Sequence, residues 1–70
     1  MYRIDITRNG QRWHDTVGVV ATTDSIAAVA IGLLAEAAVE TPPHPGLHCI
    51  AEVFDDVDQR LLRAELRLSV

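Results

Sequence analysis

Residues 25–40, SIAAVAIGLLAEAAVE, decide the fold of this chain because they predict one long helix. Alanine and leucine favour helix, and the preceding TTDS offers N-cap residues, of which Thr23 or Asp24 is the predicted cap. TPPHPG ends the helix, since proline lacks the backbone donor that a helix needs. The apolar run between Asp24 and Glu36 has eleven residues, whereas a membrane span needs about 20. We therefore predict the helix of a soluble domain.

The predicted helix is apolar on both sides, which is unusual for a surface helix. At about 100° per residue, the larger side chains form one stripe that should face a sheet: Ile26, Val29, Ala30, Leu33, Leu34 and Ala37. The other side carries Ala27, Ala28, Ile31, Gly32, Ala35, Ala38 and Val39. Glycine inside a helix costs about 1 kcal/mol relative to alanine, and close packing against another backbone would compensate. We predict an interface with a second copy or a partner at Ala28, Ile31, Gly32, Ala35 and Val39; the alternative interpretation is an exposed alanine face.

The N-terminal segment predicts a β-hairpin. YRIDITR alternates apolar and polar residues, which is typical of a half-buried strand. Asn9-Gly10 favours a two-residue turn, and this turn folds the strand back onto QRWH with Ile6 opposite Trp13 and Ile4 opposite Asp15. The second pairing would point a carboxylate at the core, so we expect the strand to break at DTVG, a turn that ends at Gly18.

The C-terminal part predicts two more strands. LHCIAEVF and LLRAELRLSV flank the acidic turn DDVDQ, and the second of them alternates cleanly between apolar and charged residues. The element order is therefore ββαββ in a single domain, residues 1–70. We predict an α+β two-layer sandwich, in which one mainly antiparallel sheet carries a single helix on one face.

Composition limits the function classes. A 70-residue chain is near the lower limit for folding alone, and one cysteine, Cys49, excludes an internal disulfide. A metal or a partner subunit is therefore an expected source of stability. The unpaired cysteine and the absence of a signal-peptide pattern at the start predict a cytoplasmic protein. The net charge of −4, with six arginines and no lysine, argues against nucleic acid as a partner.

The residues that could carry chemistry do not form a convincing site. His14, His44, His48 and Cys49 are the candidate zinc ligands, but His48 and Cys49 are neighbours on a strand and point to opposite faces. Asp55, Asp56 and Asp58 lack the glycine and glutamate spacing of a calcium loop. We expect no catalytic residues, no metal and no cofactor, and we keep these three aspartates as a candidate acidic contact surface.

The polar face of the predicted sheet mixes both signs of charge. Arg3, Arg63 and Arg67 should project away from the helix together with Asp5, Glu52 and Glu65. Cross-strand ion pairs on such a face are each worth little. The chain has three aromatic residues, Tyr2, Trp13 and Phe54, of which we expect at least two in the core. The face therefore lacks the stacking platform of RNA-binding sheets.

Four segments, YRIDITRNG, DTVG, SIAAVAIGLLAEAA and VFDDVDQRLLRAELRL, resemble a group of short bacterial proteins known only as a domain of unknown function. In that pattern Asp58 stands where a turn glycine would be expected, and no activity carries over from the group. Size and layout also look like some phage anti-CRISPR inhibitors, which are small and non-enzymatic.

The function predicted from these patterns is a non-catalytic protein–protein interaction module, homodimeric through the helix. The alternatives are a phage-encoded inhibitor that acts through the acidic turn on a nucleic-acid-handling complex, and a small metal- or nucleic-acid-binding domain.

Overall fold

The computed structural model describes residues 1–14, 18–39 and 46–68. Its elements are β1 (Arg3–Arg8), β2 (Gln11–Trp13), α1 (Ile26–Val39), β3 (His48–Phe54) and β4 (Arg60–Arg67). The strands form one antiparallel sheet in the order β2-β1-β3-β4, and α1 packs against β1, β3 and β4. The predicted ββαββ order and the α+β class are confirmed. No helix in the described part of the chain has the length and apolarity to cross a membrane.

The first hairpin forms in the predicted register. Ile6 lies opposite Trp13, and Asn9 and Gly10 both have positive φ, 49° and 86°, as a type I′ turn requires. The expected pairing of Ile4 with Asp15 lies outside the described residues. After the gap at residues 15–17, Gly18 has a φ of 88°, and Val19 makes an isolated bridge with Tyr2. The peptide nitrogens and oxygens of that bridge are 2.8 and 2.7 Å apart.

The turn between β3 and β4 is held by its first aspartate. Asp55 Oδ1 accepts hydrogen bonds from the backbone nitrogens of Val57 and Gln59, at 3.0 and 2.9 Å. Asp58 has a φ of 64°, which is the left-handed conformation that glycine adopts most easily. The expectation that a turn glycine belongs at this position therefore fits the backbone. On the β4 side the register shifts, and Leu61 has no residue opposite it in β3.

The helix is capped two residues earlier than Asp24. Thr22 Oγ1 accepts from the Ser25 nitrogen at 3.2 Å, and Ser25 Oγ accepts from the Thr22 nitrogen at 3.0 Å. The Thr22 carbonyl also accepts from the Ile26 nitrogen at 3.0 Å, which closes the turn that leads into α1. This reciprocal pair is a capping box with serine in the position that glutamate often takes. The predicted cap at Thr23 or Asp24 is wrong, because the pair that closes this box is Thr22 and Ser25.

The core lies between the helix and the inner face of the sheet. Its buried apolar residues are Ile4, Ile26, Ala30, Leu34, Ala38, Leu47, Cys49, Ala51 and Val53. The helix wheel predicts Ala38 on the far side of the helix, but Ala38 is buried, with 8% of its surface exposed. The buried residues Ile26, Ala30, Leu34 and Ala38 recur every four positions, so the buried stripe drifts around the helix and brings Ala38 into the core.

The aromatic residues contribute less to the core than expected. Tyr2 packs against the core cluster, whereas Trp13 is 42% exposed at the sheet edge. Phe54 lies on the face of the sheet away from the helix, where the Arg3 guanidinium carbon is 4.3 Å from its ring centroid. The prediction that at least two aromatics are core residues is therefore wrong.

Candidate functional site

The residues predicted as an interface lie together on the solvent side of α1. We call Ala28, Ile31, Gly32, Ala35 and Val39 the outer helix face; all of them are exposed. Ile31 is 58% and Val39 75% exposed. A methyl group added at Gly32 would meet no atom within 4 Å, so the backbone is accessible there. This surface is apolar, continuous along the helix and available for contact.

The acidic turn divides into structural and exposed carboxylates. Asp55 holds the turn through its two backbone hydrogen bonds. Asp58 is paired with Arg3, and Asp56 Oδ1 lies 3.5 Å from the Met1 amino nitrogen. Their side chains are 72% and 78% exposed. Asp56 and Asp58 could therefore meet a partner, whereas replacement of Asp55 would disturb the turn itself.

A buried carboxylate lies at the centre of the outer sheet face, the side of the sheet away from α1. Asp5 is fully buried, and it stands directly opposite Glu52 of β3. Like charges in this position repel. Arg12 bridges them, with Nη2 at 2.9 Å from Asp5 Oδ2 and Nη1 at 3.3 Å from Glu52 Oε1. The hydrogen bond to Asp5 is the main reason that the pKa of Arg12 is raised above its ordinary value.

Three further groups join Asp5, Glu52 and Arg12, and we call the whole set the Asp5 network. Arg3 Nε lies 3.4 Å from Asp5 Oδ1, and His14 Nδ1 lies 3.0 Å from Asp5 Oδ2. Arg60 Nη1 donates to Glu52 Oε2 at 3.2 Å. The Arg3 side chain also covers Phe54, so apolar surface and cations together close Asp5 off from water. The arrangement neutralises the carboxylates within the chain, which is the behaviour of a structural network.

A second charge cluster surrounds Glu65 of β4. Its Oε2 lies 2.7 Å from His48 Nε2 and 3.0 Å from Arg63 Nη2, with Arg67 Nη2 at 4.0 Å. The hydrogen bond with His48, followed by that from Arg63, holds the pKa of Glu65 below its ordinary value of 4.5. Arg3, Arg63 and Arg67 thus share the outer sheet face with Asp5, Glu52 and Glu65, as predicted.

The candidate metal ligands are separated by the strand geometry. His48 is on the outer sheet face and pairs with Glu65, whereas Cys49 is fully buried in the core. His14 belongs to the Asp5 network, and His44 lies outside the described residues. Within residues 1–14, 18–39 and 46–68, no three histidine, cysteine or carboxylate side chains are grouped as a metal site would need.

A shallow groove that the sequence did not indicate runs between α1 and the β1–β2 edge. Its cavity volume is about 300 Å³, and it is lined by Ile6, Arg8, Trp13, Leu33, Glu36 and Ala37. Arg8 Nη1 donates to the Ala37 carbonyl at 3.2 Å, and its guanidinium carbon is 5.2 Å from the Trp13 ring centroid. The feature of the sequence that could have indicated this groove is the hairpin register, which puts Trp13 beside Ile6 on the helix side.

The Asp5 network also had a signal in the sequence. The predicted pairing of Ile6 with Trp13 implies, one residue further, that His14 approaches Asp5 on the opposite face of the sheet. The contribution of Glu52 could not be read this way, because it depends on how β3 pairs with β1.

Comparison of the chain with protein-family models, curated proteins and solved structures returned no match. The resemblance to short bacterial proteins of unknown function and to phage inhibitors therefore stays a prediction. What can be said of function rests on the surfaces described above.

Proposed function

We propose that this protein is a non-catalytic protein-binding module that forms a homodimer through the outer helix face. The observation that carries the proposal is that Ala28, Ile31, Gly32, Ala35 and Val39 are all exposed on one side of α1. Small residues around Gly32 allow another backbone to come close, and Ile31 and Val39 supply the larger apolar contacts. A two-fold symmetric contact between identical helices is the commonest assembly of this kind.

The small core supports the need for a partner. A chain of 70 residues buries only about 60% of the surface that its unfolded form exposes. Among its fully buried side chains, the largest are Leu47, Val53, Asp5 and Cys49, none of which is aromatic. Contact with a second helix would remove exposed apolar surface from water and add to this modest core.

The state of the ionisable groups supports a binding role over a catalytic one. Asp5 and Glu52 are neutralised by arginines of the same chain, and Glu65 is held by His48 and Arg63. A general acid or base needs a group that is available to a substrate. We place the protein in the cytoplasm, where the buried thiol of Cys49 would remain reduced.

The test is the mass of the wild type and of Gly32→Glu in sedimentation equilibrium. We expect the wild type at twice its 7.7 kDa chain mass at tens of micromolar and Gly32→Glu at the chain mass, because the new charge would be buried in the contact. Val20→Glu is the matched control, since Val20 is 85% exposed away from the outer helix face. It should sediment as the wild type does.

A milder change at the same position separates folding from association. Gly32→Ala should raise the stability of the isolated chain by about 1 kcal/mol through helix propensity, yet weaken association by holding the helices apart. The proposal fails if, at tens of micromolar, the wild type sediments as a monomer or Gly32→Glu remains dimeric.

A further inference from the structure

The outer edge of β4 is a second surface without a partner in the described part of the chain. β4 lies at one end of the strand order, and β3 is the neighbour that pairs with it. The strand has eight residues, Arg60–Arg67, against three in β2 at the opposite edge. Backbone groups that point away from β3 along β4 are therefore available to another strand.

The common protections of an edge strand are weak here. Natural edges are blunted by short strands, bulges, proline, charged side chains (lysine above all) or charges that point inward. The irregularity of β4 lies at its start, beside Leu61, and leaves Leu62–Arg67 regular. The charged residues Arg63, Glu65 and Arg67 lie on the outer sheet face, so they do not block the edge itself.

The sequence of β4 is complementary to itself in one antiparallel register. When two copies pair with Ala64 opposite Ala64, Arg63 stands opposite the second copy's Glu65 and Leu62 opposite its Leu66. Arg63 and Glu65 share the outer sheet face, while Leu62 and Leu66 share the inner face with Ala64. Each contact occurs twice because of the two-fold symmetry. Cross-strand pairs of opposite charge and of apolar side chains both stabilise a sheet.

The neighbouring registers that keep outer-face residues opposite outer-face residues, and inner-face residues opposite inner-face residues, are unfavourable. Centring the pair on Glu65 places Glu65 against Glu65 and Arg63 against Arg67, whereas centring it on Arg63 places Arg63 against Arg63. Like charges directly opposite each other destabilise a strand pair. The charge pattern therefore selects the register centred on Ala64.

We propose that β4 pairs with β4 of a second copy of this chain in the register centred on Ala64. Two four-stranded sheets then join into one continuous sheet with both helices on the same side. Leu62 and Leu66, which are only partly buried, gain apolar neighbours across the seam.

This contact goes beyond the helix contact proposed above and uses a different surface. The two contacts use different surfaces, so helix dimers that form at tens of micromolar can associate further through β4 at higher concentration. Substitutions at Gly32 test the helix contact, and substitutions at Arg63 and Glu65 test the strand contact.

The decisive experiment is a charge exchange measured by sedimentation equilibrium. Arg63→Glu places acids opposite each other at both ends of the pair, and Glu65→Arg places bases there. To isolate the strand contact, each change is made in a Gly32→Glu background, which removes the helix contact. We expect the background chain, which is monomeric at tens of micromolar, to be dimeric at near-millimolar concentration, and each added single change to leave monomers at that concentration. An equimolar mixture of the two should recover the dimer, because every acid then faces a base.

The doubly exchanged chain, Arg63→Glu with Glu65→Arg, is the matched control and should self-associate again. Because Arg63 also stands opposite Glu52 within the sheet, a change at Arg63 can affect folding. Thermal melts therefore check that each variant is folded. If a single variant does not fold, amide hydrogen exchange of the wild type replaces it. Exchange of the outward amides of β4 should then slow by at least about tenfold between low-micromolar and near-millimolar protein, a range chosen from typical affinities, while β2 amides remain unchanged.

Three results would overturn the strand contact. The first is a Gly32→Glu chain that is monomeric at near-millimolar concentration. The second is a mixture of folded single variants that stays monomeric, and the third is β4 exchange independent of concentration. A dimeric wild type that Gly32→Glu alone converts to monomers, even at near-millimolar concentration, would support the helix contact and exclude the strand contact. A Gly32→Glu chain that is still dimeric at tens of micromolar would exclude the helix contact.

Discussion

The outer sheet face and the outer helix face both meet solvent, but they differ in whether their side chains find partners within the chain. On the sheet, Asp5 and Glu52 are neutralised by arginines from β1, β2 and β4. On the helix, Ile31 and Val39 are 58% and 75% exposed. The sheet face thus finds its partners within the chain, whereas the apolar groups of the helix remain accessible. A surface that folding leaves apolar and accessible is the better place to look for a partner.

The largest expected effect comes from comparing the two sides of α1 directly. Leu34 is 5% exposed and Ile31 58%, although both are large aliphatic residues of one helix. Leu34→Ala should lower the free energy of unfolding by about 3 kcal/mol, since it opens a cavity in the core. Ile31→Ala, measured at a concentration where the chain is monomeric, should stay within about 0.5 kcal/mol of the wild type.

Urea denaturation followed by circular dichroism measures both values. Equal losses for the two variants would mean that Ile31 is part of the folding core and that the two helix faces do not differ in the way proposed.

The second largest expected effect on the free energy of unfolding comes from a substitution in the Asp5 network. Asp5→Asn keeps the shape of the side chain but removes the charge that faces Arg3, Arg12 and His14. Buried hydrogen bonds to charged groups are worth about 2 kcal/mol, so Asp5→Asn should lower the free energy of unfolding by about 2 kcal/mol. Asp56→Asn is the matched control, because Asp56 is 78% exposed, and its effect should be close to zero. A loss no larger than the control would show that Asp5 is buried without stabilising the fold.

The smallest effect concerns the pH dependence of stability. The pKa of Glu65 is lowered in the folded protein, mainly by the hydrogen bond with His48 and then by that from Arg63. A lowered pKa stabilises the fold at pH values above the ordinary value of 4.5, and this contribution is lost as the pH falls through the folded-state pKa. The difference in unfolding free energy between wild type and Glu65→Gln should therefore shrink below about pH 4.5.

Denaturation at a series of pH values, with the protein dilute enough to be monomeric, checks this prediction. A difference that stays constant down to pH 2, well below the pKa of an ordinary glutamate, would mean that Glu65 is not held by His48 and Arg63 in solution.

Much of the fold could be predicted from local patterns. The period-two alternation of YRIDITR and LLRAELRLSV identified β1 and β4, and Asn9-Gly10 identified the first hairpin and its register. The helix wheel separated the buried residues from the outer helix face at every position except Ala38. Each of these features depends on residues that are close together in the chain, which is why sequence alone was sufficient.

Other features were missed because they depend on contacts between distant segments or on a choice among similar neighbours. Four successive residues, TTDS, can all cap a helix, and the hydrogen bonds between Thr22 and Ser25 select the first of them. At least two of the three aromatic residues are expected in the core, yet Phe54 packs against Arg3 on the outer sheet face and Trp13 is 42% exposed. The alternation of β3 places both apolar and charged residues on that face, so pattern alone could not assign the ring.

By itself, the sequence determined the elements, their order and the apolar character of both sides of α1, because those properties follow from local periodicity. The strand order β2-β1-β3-β4 decided the rest. It placed Glu52 beside Asp5, which made two like charges depend on arginines from three strands. It also left β4 at the edge of the sheet, where no described residue pairs with the side of the strand that faces away from β3. Neither result is encoded near the residues concerned, since both arise from which strands become neighbours when the chain folds.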